Sequence, residues 1–278
     1  MINELRSHVA VELFKTVRAR LGRIALFTTF IGVALPIILI GILGERTIST
    51  FPGVVPQLLL PSLTLLIGIT SILLSLSSWG DEYEYGTVRV VLSRCPARWQ
   101  FLIGKTAALA ISTMVIIVLA LAAEVAVAAA SHLIQIGRAG LAGHLSNLLG
   151  VILPIMGTWW LASMVYTGVV ALVVVGTQSP ALGMAAGLGF FLGDLLLSGL
   201  GLPGSGGGYD NYTLVNNSYG LINSALGGLF STGSNTIVSG MATATLPTPG
   251  EALGRLVLYA AATLGVTYFL FRGRDLSA

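Results

Sequence analysis

The chain has 278 residues, of which 55% are hydrophobic and only 9% are charged, and its formal net charge is +3. A soluble globular protein has far more charge on its surface, so this composition, with a mean hydropathy of +0.90, predicts an integral membrane protein. The positive residues flank apolar stretches and do not form a patch, which argues against nucleic-acid binding. The single cysteine, Cys95, excludes an intrachain disulfide.

Residues 1–23 form the first predicted element, a basic amphipathic helix. Apolar side chains recur in it at four-residue spacing, and its cations fall largely on other faces. These cations are Arg6, Lys15, Arg18 and Arg20. Such a helix is suited to the headgroup region of a membrane, with its cations near anionic lipid, although an ordinary surface helix is the alternative. A charge-free run at about 24–44 follows directly, is long enough for span 1 and favours the interfacial location.

Five further charge-poor stretches predict spans 2 to 6, so the predicted fold is an all-α, single-domain membrane protein with six spans over residues 1–278. Their approximate bounds are 54–79, 106–131, 146–175, 180–202 and 252–271. A tight turn at 176–180 divides an uncharged stretch that is too long for one span. Short helices are expected within the loop 203–251. The distribution of cations predicts that both termini and segment 80–105 are cytoplasmic, and that loop 203–251 is extracellular.

Polar side chains within the spans are candidates for a substrate path or gate. They are Ser71 and Ser75 in span 2, Glu124 in span 3 and Asp194 in span 5. Charge inside a bilayer is costly and is usually functional. For the serines the alternative is close helix packing; for Asp194 it is an interhelical hydrogen bond, and for Glu124 a position at the outer interface.

Segment 80–105 is the densest group of charged residues outside the two termini, with seven within 26 positions. Its acids would need a cleft and partners to act in acid–base catalysis, so docking on a soluble partner explains them better, with a solvated turn as the alternative. Thr87 is predicted to cap a helix that begins there. Gly104-Lys105-Thr106 is not a phosphate loop, because Trp99 stands where the motif requires glycine. Lys105 is instead expected to snorkel to the membrane surface.

This segment resembles the first cytoplasmic loop of ABC-2 type exporter permeases. The family pattern has acids before Gly-Thr, an apolar run, Ser-x-x-Pro-x-Arg, and Gly-Lys opening the next span. The matching residues are Glu82, Glu84, Gly86, Thr87, Leu92, Ser93, Pro96, Arg98, Gly104 and Lys105. The resemblance extends to the layout, which has a basic elbow helix at the N-terminus, six spans and a long loop before the last span.

The resemblance implies a permease subunit of an ATP-driven exporter in the cytoplasmic membrane. A second permease chain, identical or different, and two ABC ATPase subunits would complete the transporter. ATP and magnesium would bind in the ATPase, so this chain would bind no cofactor or metal and would not itself be an enzyme. The residues implied to couple the two subunits are Asp81, Glu82, Glu84, Gly86, Thr87, Arg89 and Arg98.

The sequence is also compatible with two other functions. One is a non-transporting membrane anchor or assembly factor. The other is an intramembrane enzyme, which would require four side chains to converge within hydrogen-bond reach. Those side chains are Glu124, His132, His144 and Asp194.

Overall fold

The computed structural model describes residues 2–32, 64–87, 98–136, 141–199, 212–230 and 247–273. Over these ranges the chain is all-helical and contains no strand, which confirms the predicted all-α class. The helices are α1 (Ile2–Arg18), α2 (20–32), α3 (64–84), α4 (Arg98–Ile136), α5 (Leu141–Thr177), α6 (Pro180–Gly199), α7 (Leu214–Phe230) and α8 (Pro249–Gly273).

Five of these helices contain a stretch that is long and apolar enough to cross a membrane. The stretches are Thr64–Glu84, Trp99–Ala123, Ile152–Thr177, Pro180–Ser198 and Pro249–Arg272. They correspond to predicted spans 2 to 6 and indicate a membrane protein. Predicted span 1 begins in α2, but most of it lies outside the described residues.

Segment 80–105 is more helical than predicted, because α3 continues to Glu84 and α4 begins at Arg98. The N–H groups of Gly86 and Thr87 donate to the carbonyls of Tyr83 and Glu82 at 3.3 and 3.0 Å, and Gly86 has a φ of 64°. This is a Schellman motif, in which a left-handed glycine ends a helix. Thr87 therefore takes part in the end of α3, and the prediction that it caps a following helix concerns residues 88–97, which lie outside the described residues.

The central helix of the bundle is α3. Within the described residues, 78% of its membrane-spanning stretch is buried, compared with 28% for α6 and 17% for α8. The outer faces of α6 and α8 are apolar and exposed, as expected of lipid-facing helices. A side chain at Gly187 would collide with Val170 and Ile72, so α6 can approach α5 and α3 only because this residue is glycine.

Contacts between helix termini define two opposite ends of the bundle. At the first, which we call the Lys105 end, the rings of Phe101 and Phe271 stack at 5.7 Å and Trp79 packs edge-on against both. At the second, the α7 end, the hydroxyls of Tyr219 and Thr64 are hydrogen-bonded at 3.1 Å. α7 has 17 residues and lies inside the predicted 203–251 loop, where the sequence predicts short helices.

Candidate functional site

The buried face of α1 carries polar side chains. Glu12 and Thr16 are buried one turn apart, while Val9 and Leu13 are only half-buried. The chain bends after α1, and a Cβ at Gly22 would overlap the carbonyl oxygen of Thr16. Glycine at this position therefore permits the bend that directs Glu12 towards the bundle.

Four charged side chains from α1, α3 and α4 meet at the Lys105 end, and we call them the charged junction. They are Glu12, Lys15, Glu82 and Lys105. The Nζ atom of Lys105 lies 3.2 Å from Oε2 of Glu12 and 3.1 Å from Oε1 of Glu82. The Nζ atom of Lys15 lies 2.9 Å from Oε1 of Glu12 and 3.2 Å from Oε1 of Glu82. Two acids and two bases thus tie three helices together.

Lys105 lies at the centre of the charged junction and has an exposed fraction of 0%. Its ammonium also donates to the carbonyl of Ser78 and lies 5.3 and 5.2 Å from the ring centroids of Trp79 and Phe101. A buried charge with this many partners is compensated on several sides. The prediction that Lys105 snorkels to the membrane surface is therefore wrong.

A π-helical turn shapes the α3 side of the charged junction. Residues Leu76–Gly80 form this turn, and Ser78, whose carbonyl accepts from Lys105, lies within it. A π-turn places one extra residue in the helix, and such turns are frequent at functional sites because they redirect backbone groups. The packing of Trp79 against Phe101 and Phe271 closes the site on its apolar side.

Electrostatics favour the charged forms of Glu12 and Lys15. Burial alone would raise the pKa of the Glu12 carboxyl, but the ammonium groups of Lys105 and Lys15 outweigh it and hold this pKa below its ordinary value. Burial alone would lower the pKa of Lys15, but its bonds to Glu12 and Glu82 raise it above the ordinary value. Both groups are therefore ionised at neutral pH.

The structure divides the predicted coupling residues into two groups. Glu82 is buried, and its carboxylate is paired with Lys15 and Lys105, so it is not free to meet a soluble partner as predicted. The tip of α3, by contrast, is accessible. Its exposed residues are Glu84, Tyr85, Gly86 and Thr87, next to the half-buried Asp81. Arg89 lies outside the described residues, and for Arg98 the structure describes only the backbone.

The predicted interfacial cations also fall into two groups. Arg18 and Arg20 are exposed, in keeping with an interfacial position, and for Arg6 only the backbone is described. Lys15 instead directs its ammonium into the charged junction.

Asp194 connects α6 to the first turn of α7. Its Oδ1 accepts from the N–H of Leu214 at 2.7 Å, and its Oδ2 accepts from the N–H of Val215 at 3.2 Å and the hydroxyl of Tyr166 at 3.0 Å. These N–H groups would otherwise be unpaired at the start of a helix, and a carboxylate there also suits the helix dipole. These contacts favour an interhelical hydrogen bond as the role of Asp194 over a place in a substrate path or gate.

For the two serine candidates within the spans, the contacts favour a role in helix packing. The hydroxyl of Ser75 donates to the carbonyl of Thr167 at 3.0 Å and links α3 to α5, while Ser71 lines a narrow gap with Thr113 and Ser163. Of Glu124, His132 and His144 the structure describes only the backbone, so their convergence stays a prediction. Among the side chains that the structure describes, no group of three could hold a metal ion.

Sequence reasoning missed two parts of the site. These are Glu12, a lone acid among the cations of α1, and Tyr85, which lies between the motif residues Glu84 and Gly86. Tyr85 is 74% exposed, and tyrosine is enriched among the residues that contribute most to binding at protein interfaces. No known family model matches the chain, and no curated protein matches it either.

Proposed function

We propose that this chain is the permease subunit of an ATP-driven exporter of the ABC-2 type. It would cross the cytoplasmic membrane six times and work with a second permease chain and two ABC ATPase subunits. The proposal begins from the motif residues in segment 80–105 and from the charge-poor spans around them. The observation that supports it best is the burial of Lys105 between Glu12 and Glu82.

That burial supplies a route for mechanical coupling. The ATPase would dock on the exposed tip of α3, at Glu84 and Tyr85, where a carboxylate offers charge-assisted contacts and an aromatic ring offers apolar area. Because Glu82 lies half a turn before this tip and is paired with Lys105, a push on the tip acts on α3 and α4 together. Glu12 adds the N-terminal helix to the same unit. ATP-driven closure of the ATPase dimer would then move three helices at once.

The charge distribution supports a cytoplasmic location for the Lys105 end. Among the described side chains, the cations of α1, α2, α4 and the C-terminal end of α8 lie at this end: Lys15, Arg18, Arg20, Arg23, Lys105 and Arg272. At the α7 end the corresponding cation is Arg255. An excess of Lys and Arg on one side marks the cytoplasmic face of a membrane protein. The α7 helix, held by Asp194, would accordingly lie at the outer face.

Purification of the tagged chain from its native membrane in mild detergent tests this proposal. We expect an ABC ATPase to co-purify and the complex to hydrolyse magnesium ATP, with the nucleotide bound in the ATPase subunit. A membrane-impermeant thiol reagent should label Cys95 only from the cytoplasmic side. Purification of the chain without any ATPase, or labelling of Cys95 from outside, would contradict the proposal.

A further inference from the structure

Exposed aromatic and basic residues flank the bend between α1 and α2. On α1, Phe14 and Arg18 are exposed one turn apart, and on α2 the exposed residues Arg20, Arg23 and Phe27 recur at helical spacing. We call these five residues the elbow surface. The two phenylalanines have exposed fractions of 59% and 65%, so most of each ring is open to the surroundings.

The three arginines of the elbow surface have no acidic partner among the described residues. The guanidinium of Arg18 lies 4.4 Å from the ring centroid of Phe14, and neither Arg20 nor Arg23 is in an ion pair there. Lys15, only three residues before Arg18, is different because Glu12 and Glu82 neutralise its ammonium. The elbow surface therefore has three positive charges available to an external anion.

The helix dipole does not account for this arrangement. A cation in the last turn of a helix is stabilised by the dipole, which would explain Arg18. Arg20 and Arg23 lie in the first turn of α2, where the dipole disfavours cations. Neither the dipole nor an ion pair among the described residues therefore explains these two exposed cations, which are open to an external anion.

The chemistry of the elbow surface fits an anionic membrane surface better than an acidic protein. Exposed apolar rings beside guanidinium groups match the boundary between headgroups and acyl chains. Guanidinium also binds phosphate oxygens through two parallel hydrogen bonds. The elbow surface lies at the Lys105 end, beside the first turns of α4, since Gly104 lies against His8 of α1. It is thus placed at the edge of the predicted hydrocarbon layer.

We propose that the elbow surface is a binding site for the phosphate groups of anionic phospholipids. Arg18, Arg20 and Arg23 bind the phosphates, and Phe14 and Phe27 insert among the neighbouring acyl chains. The site is independent of whether the chain transports a substrate, so it can stand or fall without the exporter proposal.

Native mass spectrometry of the full chain, delipidated in detergent, tests this site. The protein is titrated with phosphatidylglycerol or with zwitterionic phosphatidylcholine, and the Kd of the first lipid adduct is measured. We expect the wild type to prefer phosphatidylglycerol, and each Arg→Gln change at 18, 20 and 23 to weaken that adduct by up to about fivefold. The triple Arg→Gln variant should bind both lipids equally, whereas the triple Arg→Lys variant should keep part of the preference.

Two variants control for the loss of a charge as such. Lys15→Gln removes a positive charge three residues from Arg18, but this charge is already used inside the protein. Arg255→Gln makes the same change at the α7 end. Both should keep the preference for phosphatidylglycerol. An unchanged preference in the triple Arg→Gln variant, or an equal loss in both controls, would overturn the proposal. Tryptophan fluorescence melting of each variant shows that the fold is intact before lipid binding is compared.

Discussion

Replacement of Lys105 by methionine isolates the contribution of the charged junction to the fold. Methionine has a similar length and volume, so Lys105→Met removes the charge while leaving the packing against Trp79 and Phe101 largely filled. It leaves Glu12 and Glu82 buried with the half-exposed Lys15 as their remaining base. We therefore expect a large loss of stability that comes from electrostatics and not from a cavity.

The expected magnitude follows from burial. Removing one partner of a buried ion pair costs about 3–5 kcal/mol when the other charge is left without compensation, and Lys105→Met should lie towards the lower end because Lys15 still contacts both acids. Lys105 is 0% exposed and has a carboxylate oxygen at 3.1 Å and another at 3.2 Å, so it belongs to this class. Lys15 contacts the same two acids, but its side chain is 46% exposed. Solvent screens such a pair, so Lys15→Met should cost below about 1 kcal/mol.

Reversible unfolding in mixed micelles, followed by tryptophan fluorescence, measures both free energies. The comparison is well matched because the two lysines share their acidic partners and differ in burial. A triple variant with Glu12→Gln, Glu82→Gln and Lys105→Met should recover most of the lost stability, since no buried charge is then left unpaired at the centre. Equal losses for Lys15→Met and Lys105→Met would refute this reasoning, as would a loss below about 1 kcal/mol for Lys105→Met.

Three further predictions concern pH, α7 and the end of α3. The pKa of Glu12 is lowered in the fold, so its contribution to stability is complete above the ordinary value of 4.5 and is lost as the pH falls through the folded value. The pKa of Lys15 is raised, so its contribution is complete below 10.5 and is lost as the pH rises through the folded value. Melting temperatures measured against pH should show both losses, and Glu12→Gln should reduce the loss at acid pH. Asp194→Asn should lower hydrogen-exchange protection at the start of α7, because an amide group cannot accept all three hydrogen bonds that the carboxylate accepts. Unchanged protection of the Leu214 N–H would contradict the role of Asp194 in capping α7. Gly86→Ala should lower the free energy of unfolding by about 1 kcal/mol, because alanine is strained at the positive φ of this residue. Chemical unfolding measures this loss, and an unchanged free energy would contradict the left-handed end of α3.

Hydropathy and turn residues predict the helices of this chain well. An uncharged stretch that crosses a bilayer has to form all its backbone hydrogen bonds internally, so it forms a helix almost regardless of its detailed sequence. The break between α5 and α6 lies within the predicted 176–180 turn, where Gln178 takes a positive φ and Pro180 opens the next helix. The end of α3 and the start of α4 extend past the predicted spans, because a charged residue limits an apolar stretch without ending the helix.

The pairing within the site was not predictable in the same way. Glu12 and Lys105 are 93 positions apart, and no local periodicity relates them. A lysine in the first turns of an apolar span is nevertheless a signal, since a charge there needs a partner. Asp194 posed a similar problem, because its partners are backbone N–H groups of α7 and the start of that helix was not predicted. A sequence shows which charges need compensation more readily than it shows which group supplies it.

The exporter proposal is tested most directly at the exposed tip of α3. Glu84→Lys combined with Tyr85→Ala changes two exposed side chains without entering the charged junction, unlike any change at Glu82. Glu251→Lys combined with Tyr212→Ala is the matched control, since it changes an exposed acid and an exposed tyrosine at the α7 end.

The measurement is magnesium-ATP hydrolysis by the complex that co-purifies with each variant, after melting has shown both variants to be folded. We expect the α3-tip variant to lose the ATPase, or to retain it without stimulation by substrate, while the control behaves as the wild type. Normal ATPase binding and normal stimulation in the α3-tip variant would contradict the claim that this end of α3 couples the permease to its ATPase.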